Sequence, residues 1–98
     1  LLPGLQALNT PGHTAGHMSL MIQMPQGAPV ILAGDAADLQ ENIDDEIAPG
    51  LCWRERDDMA VASIRRLKQV AADTGARLWP NHDMAFWRTL KRFPEYHA

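Results

Sequence analysis

The sequence predicts a small mixed α/β (α+β) domain, and three observations carry that prediction. Met18 to Met24 (MSLMIQM) reads as a strand, with Leu20, Ile22 and Met24 on one face and Ser19, Met21 and Gln23 on the other. Val30 to Ala33 (VILA) is a short continuous apolar run that suits a buried strand. From about Asp58 to Asp73, Ala60, Ile64, Leu67 and Ala71 recur at helical spacing while Arg65, Arg66 and Lys68 fall on other faces.

Each element follows from local chemistry. Leu5 to Leu8 is a weak strand candidate, and Thr10 to Gly16 is a loop because it holds Pro11, Gly12 and Gly16. "PQGAP" (Pro25 to Pro29) is turn chemistry, so the strands on either side should pair as a hairpin. Gly34 ends the second strand and leaves Asp35 at its tip. Asp38 to Trp53 reads as acidic and irregular, broken by Pro49 and Gly50, with Asp44, Asp45 and Glu46 solvated. Asp57 is the expected N-cap of the long helix and Gly75 its stop. Leu78 and Trp79 form a short strand ended by "PNHD" (Pro80 to Asp83), and Ala85 to Phe93 reads as a short helix stopped by Pro94.

Composition narrows the function classes. The chain has 98 residues, 46% hydrophobic and 21% charged, which is ordinary for a globular domain. A net charge of −3 with no basic face argues against nucleic acid as a partner. No apolar run approaches the roughly 20 residues of a membrane span, so no membrane partner is expected. The single cysteine, Cys52, fits a reducing, cytoplasmic setting. No signal peptide is visible, and a chain that starts Leu-Leu-Pro rather than with Met is expected to be a piece of a longer protein.

Three residues share one context: His13 in the glycine-rich loop before a strand, and Asp35 and His82 each just after one. Strand ends are held rigidly yet face an open edge, where sites tend to be built. Imidazole nitrogen and carboxylate oxygen suit zinc and similar divalent metals. The residues alone leave a plainer alternative open. A histidine in a loop is more often a surface group, and an aspartate after glycine more often caps a turn.

"TPGHTAGHMSL", "ILAGDAADL" and "LWPNHD" resemble, in order, the later metal-binding motifs of the metallo-β-lactamase superfamily. The resemblance implies the C-terminal half of an αββα sandwich, a mixed sheet with helices on one face, over residues 1–98. It implies two metals, with His13 and His82 as ligands and Asp35 as the bridge and a catalytic residue that handles the proton of an attacking water. Within the superfamily, "SIRRLKQV" (Ser63 to Val70) and the acidic segment after Asp35 look most like the N-acyl-homoserine lactone lactonases. That implies a zinc-dependent hydrolase opening a small lactone or ester with a metal-bound hydroxide. His17 and Asp83 then become supports behind the ligands, with Asp83 equally readable as a loop cap. Asp38 stands where some of these lactonases carry a substrate-contacting tyrosine, and Trp53 is a second candidate for the substrate pocket. Trp79 is expected beneath the site and His97 on the surface.

The superfamily's HxHxDH motif is absent. The resemblance therefore implies that the N-terminal half is missing, and that this chain alone binds zinc weakly and is inactive. It also implies a bare sheet face, to be covered by that half or by a second copy in a homodimer. A thioesterase of the glyoxalase II type and a non-catalytic interaction module are the competing functions.

Overall fold

A computed structural model describes residues 3–91 and 95–98. Four strands form one mixed sheet in sequence order: β1 (Leu5–Asn9), β2 (Met18–Ile22), β3 (Val30–Leu32) and β4 (Arg77–Trp79). β1, β2 and β3 are successively antiparallel, and β4 joins β3 in parallel after a helical crossover. The hairpin around the Pro25–Pro29 turn forms as expected, pairing Leu20 with Leu32 and Ile22 with Val30.

The crossover helix α2 (Asp57–Thr74) starts one residue earlier than the sequence suggested. Arg56 takes the cap position without a side-chain bond, and Gly75 ends the helix. Its buried stripe is Ala60, Ser63, Ile64 and Leu67, whereas Ala71 is only half-buried. A serine enters that stripe because its hydroxyl donates to the Pro11 carbonyl at 2.6 Å, so its polar group is satisfied. The core beneath joins Met21, Ile31, Ala33, Ala36, Ala37, Ile43 and Leu67, with Leu8 and Leu78 at its margin. The period of two along β2 thus sends Ser19 and Met21 to the helices and Met18, Leu20 and Ile22 to the opposite face.

The segment after Asp35 is more regular than its composition suggests. It holds a 3-10 turn (Gly34–Ala36), helix α1 (Gln40–Asp44) and a second 3-10 turn (Trp53–Glu55). Asn42 builds α1 by accepting from the Leu39 amide and donating to the Ile47 carbonyl. Glu46, expected to be solvated with its neighbours, instead pairs with Arg65 and Lys68 on α2 at 2.8 and 3.1 Å. Asp44 and Asp45 are exposed.

α1 and α2 lie on one face, as expected. The short helix α3 (Met84–Trp87) and the last residues cover a corner of the other. Trp79 packs edge-on against Phe86 at 6.0 Å and against the His97 ring at 5.1 Å. His97, expected on the surface, is half-buried and accepts from the Lys91 amide. The predicted continuation to Phe93 and the stop at Pro94 lie outside the described residues. No described helix is long and apolar enough to cross a membrane.

Candidate metal centre

The loop between β1 and β2 is tied at three points. The Thr10 amide donates to the His17 carbonyl, the Trp53 amide donates to the Gly12 carbonyl, and Ser63 holds Pro11. Gly12 lies against α2 so closely that a Cβ there would stand 2.5 Å from Ala60 Cα, so only glycine fits. This fixes the backbone next to His13. The His13 ring is oriented by its Nδ1, 2.8 Å from the Leu51 carbonyl. A carbonyl only accepts, so Nδ1 carries a proton, and in the neutral ring Nε2 keeps its lone pair. That lone pair faces Asp35, with Nε2 3.7 Å from Oδ2.

His82 arrives from the far end of the chain. Its amide donates to the Asp38 carbonyl and the Asn81 amide to the Ala37 carbonyl, so the β4 loop is laced to the segment after β3. His82 Nε2 then stands 3.3 Å from Asp35 Oδ1 and 3.9 Å from Asp38 Oδ1. Asp35 therefore offers one oxygen toward each histidine. Burial opposes its ionisation, but the Asn81 amide and the His82 ring beside it, together with the Coulombic pull of His13 and His82 when those rings are protonated, outweigh that. Its carboxyl is held below the usual aspartate range.

His13 and His82 thus each approach Asp35, and the donor set among the described residues that could hold a single divalent cation leaves His13 out. One ligand atom each from Asp35, Asp38 and His82 lie within 4.8 Å of one another. Asp38 stands with these ligand atoms rather than apart from them. Cys52 is no competitor, because burial and the neighbouring Asp57 push its thiol up and keep it protonated.

The remaining predicted residues have definite places. His17 Nε2 accepts from the Asp35 amide at 3.0 Å, and its Nδ1 lies 2.9 Å from Thr10 Oγ1. Asp83 accepts from the Gln40 and Phe86 amides, so it caps α3 and anchors α1. These two bonds hold its carboxyl below the usual range. Trp53 is stacked under Arg54 at 4.7 Å beside the His13 loop. It lines neither of the cavities next to His82, each of about 300 Å³. One is walled by Met84 and Trp87 with Asn81, His82 and Asp83; the other runs over the open sheet face to Trp79 and Phe86.

Asn81 escaped the sequence reading. Its Nδ2 lies 3.0 Å from Asp35 Oδ1 and 2.9 Å from His82 Nε2, touching both motif residues at once. "PNHD" contained it, but nothing in the local pattern distinguishes it from a loop residue.

No family model matches the chain. Named relatives do. An N-acyl homoserine lactonase from Bacillus sp. is 40% identical over 96 residues, which is 98% of this chain and 37% of the relative. The N-acyl homoserine lactonase AttM of Rhizobium johnstonii is 34% identical over 94 residues, 96% of this chain and 35% of the relative. Among solved structures, an N-acyl homoserine lactone hydrolase with N-hexanoyl-L-homoserine at its catalytic metal centre superposes with a TM-score of 0.87. It is 37% identical, covering 99% of this chain and 38% of that one. The chain spans just over a third of the length of the relatives it matches. Over that span the chain is similar in sequence and in fold to N-acyl homoserine lactonases.

Proposed function

We propose that the chain is the C-terminal half of a zinc-dependent lactonase that opens an N-acyl homoserine lactone. The observation that carries this reading is the Asp35 carboxylate, with one oxygen 3.7 Å from His13 Nε2 and the other 3.3 Å from His82 Nε2. His13, Asp35 and His82 would hold the divalent cations, with Asp35 between the two histidines. Asp38, 3.9 Å from His82, serves as a further ligand rather than as a substrate contact. A bound divalent cation supplies Lewis acidity toward a carbonyl and lowers the pKa of a coordinated water. The chain's own residues prepare the place for it. The Leu51 carbonyl aims the His13 lone pair, and Asn81 holds Asp35 and His82 together. The ionised Asp35 stands ready to take a proton from the attacking water. The cavity beside His82, walled by Met84 and Trp87, receives the acyl chain.

The names of the relatives support the lactone as substrate. A preceding half bearing HxHxDH would complete the ligand set and cover the open sheet face; a second copy would be the other cover for that face. A cytoplasmic setting accords with the lone Cys52.

Acid release tests the reading. The 98-residue chain, and the chain completed with an N-terminal half bearing HxHxDH, are each offered N-hexanoyl-homoserine lactone or a glutathione thioester. Lactone opening by the completed form alone is expected. Thioester hydrolysis without lactone opening moves the assignment to a thioesterase, and inactivity of the completed, zinc-loaded form leaves a non-catalytic module.

A further inference from the structure

One buried hydrogen-bond chain runs behind the metal centre, and its direction is determined from both ends. At one end the Asp35 amide donates to His17 Nε2 at 3.0 Å. An amide only donates, so Nε2 carries a lone pair and the ring proton sits on Nδ1. At the other end the Ser19 hydroxyl donates to the Ala33 carbonyl at 2.9 Å. Its single proton is spent there, so Ser19 accepts from Thr10 at 2.9 Å. Thr10 has then spent its own proton and must accept from His17 Nδ1, 2.9 Å away. The two ends assign the same tautomer independently.

The chain starts and finishes on one short stretch of backbone. Ala33 and Asp35 flank Gly34, whose φ is +60° and whose place leaves only 3.0 Å between a hypothetical Cβ and His17 Nε2. Thr10 and Ser19 are each 1% exposed, so water does not compete for the bonds between Thr10, Ser19 and Ala33, while those of the half-buried His17 ring are partly shielded. We infer that His17 is a positioning residue: held as its Nδ1–H tautomer by Thr10 and Ser19, it clasps the turn from Ala33 to Asp35 and so aims the Asp35 carboxylate between His13 and His82. The Nδ1–H form is the one free imidazole populates less, so the protein must select it, and the two hydroxyls do so. This rests on the reading of Asp35 as a shared ligand. It adds two residues, Thr10 and Ser19, that touch neither cation nor substrate.

The test has two readouts on the 98-residue chain. Nitrogen-15 NMR of the metal-free chain reads the tautomer of His17 directly and needs no metal. Cobalt(II) absorption titration then reads the centre. Wild type should show His17 protonated at Nδ1. Thr10→Val should shift it toward the Nε2–H form and lower cobalt affinity by up to about tenfold, the lower end for groups that orient metal ligands. Thr10→Ser, which keeps the hydroxyl, should restore both, and Ser19→Ala should repeat the loss more weakly with the fold intact by circular dichroism. An Nε2–H His17 in the wild type overturns the inference. So does a Thr10→Val chain with unchanged tautomer and affinity. If cobalt affinity survives His13→Ala and Asp35→Ala, the metal-centre reading fails while the tautomer result stands.

Discussion

The two faces of the sheet differ in how completely the chain satisfies them. Toward α1 and α2, Met21, Ile31 and Leu67 are buried and Ile64 is wholly shielded. On the opposite face Met18 is 57% exposed, and Leu20, Ile22 and Leu32 are only half-buried, although they are apolar and lie on the same strands. Among the described residues, α3 and residues 95–98 cover the Trp79 corner of that face. The difference teaches that the buried core lies on one face, while the described residues leave much of the other face open. The candidate metal centre lies at the sheet's edge, where loops from β1–β2, β3 and β4 meet.

The sharpest way to break that contrast is Ile64→Ala. Truncating a fully buried isoleucine leaves a cavity in the satisfied face and should cost about 2–5 kcal/mol, read from the midpoint of urea unfolding. A cost below that of a surface substitution would show that the two faces are equivalent.

Next in size is Asp35→Ala, which removes the group between the two histidines. Groups that merely orient ligands change metal affinity by about 10–100-fold, so loss of Asp35 should cost at least the upper figure in a cobalt titration. Stability of the metal-free chain should fall only modestly, since the part-exposed Asp35 carboxylate loses its bonds to Asn81 and His82 while the α2 stripe stays intact.

Asp83→Asn addresses the corner covered by α3. Two backbone amides lower the Asp83 pKa in the folded chain. A group lowered by folding stabilises above its unfolded value, about 4 for aspartate, and loses that contribution as pH falls through the folded value. Thermal melts between pH 6 and pH 2 should therefore show a shallower acid decline for the Asn variant than for wild type. An unchanged slope would mean the cap bonds do not persist in solution.

The smallest effect on stability belongs to the open face. Met18→Ser should change unfolding free energy by within about 0.5 kcal/mol, as surface substitutions do. It should still weaken self-association in sedimentation velocity, because it makes the bare face polar. A large loss of stability would mean this face is packed in the isolated chain.

Local patterns made much of this legible. Period two placed Ser19 and Met21 opposite Leu20 and Ile22, and helical spacing found the stripe of Ala60, Ile64 and Leu67. Both are properties of neighbouring residues, so sequence alone carries them. The motif resemblance also singled out His13, Asp35 and His82. What sequence could not supply are relations across the chain. The Leu51 carbonyl is 38 residues from His13, and Asn81 is 46 from Asp35. Glu46 reaches Arg65 and Lys68, and Asp83 turns to Gln40 rather than to its neighbour His82. Composition made α1 look irregular because its support comes from Asn42 and from Asp83 across the fold rather than from helix propensity. The sequence by itself determined the strands, the long helix and which residue types could bind a metal. The tertiary structure decided which lone pair each histidine presents and which backbone each carboxylate holds, because those depend on partners brought together only when the sheet closes.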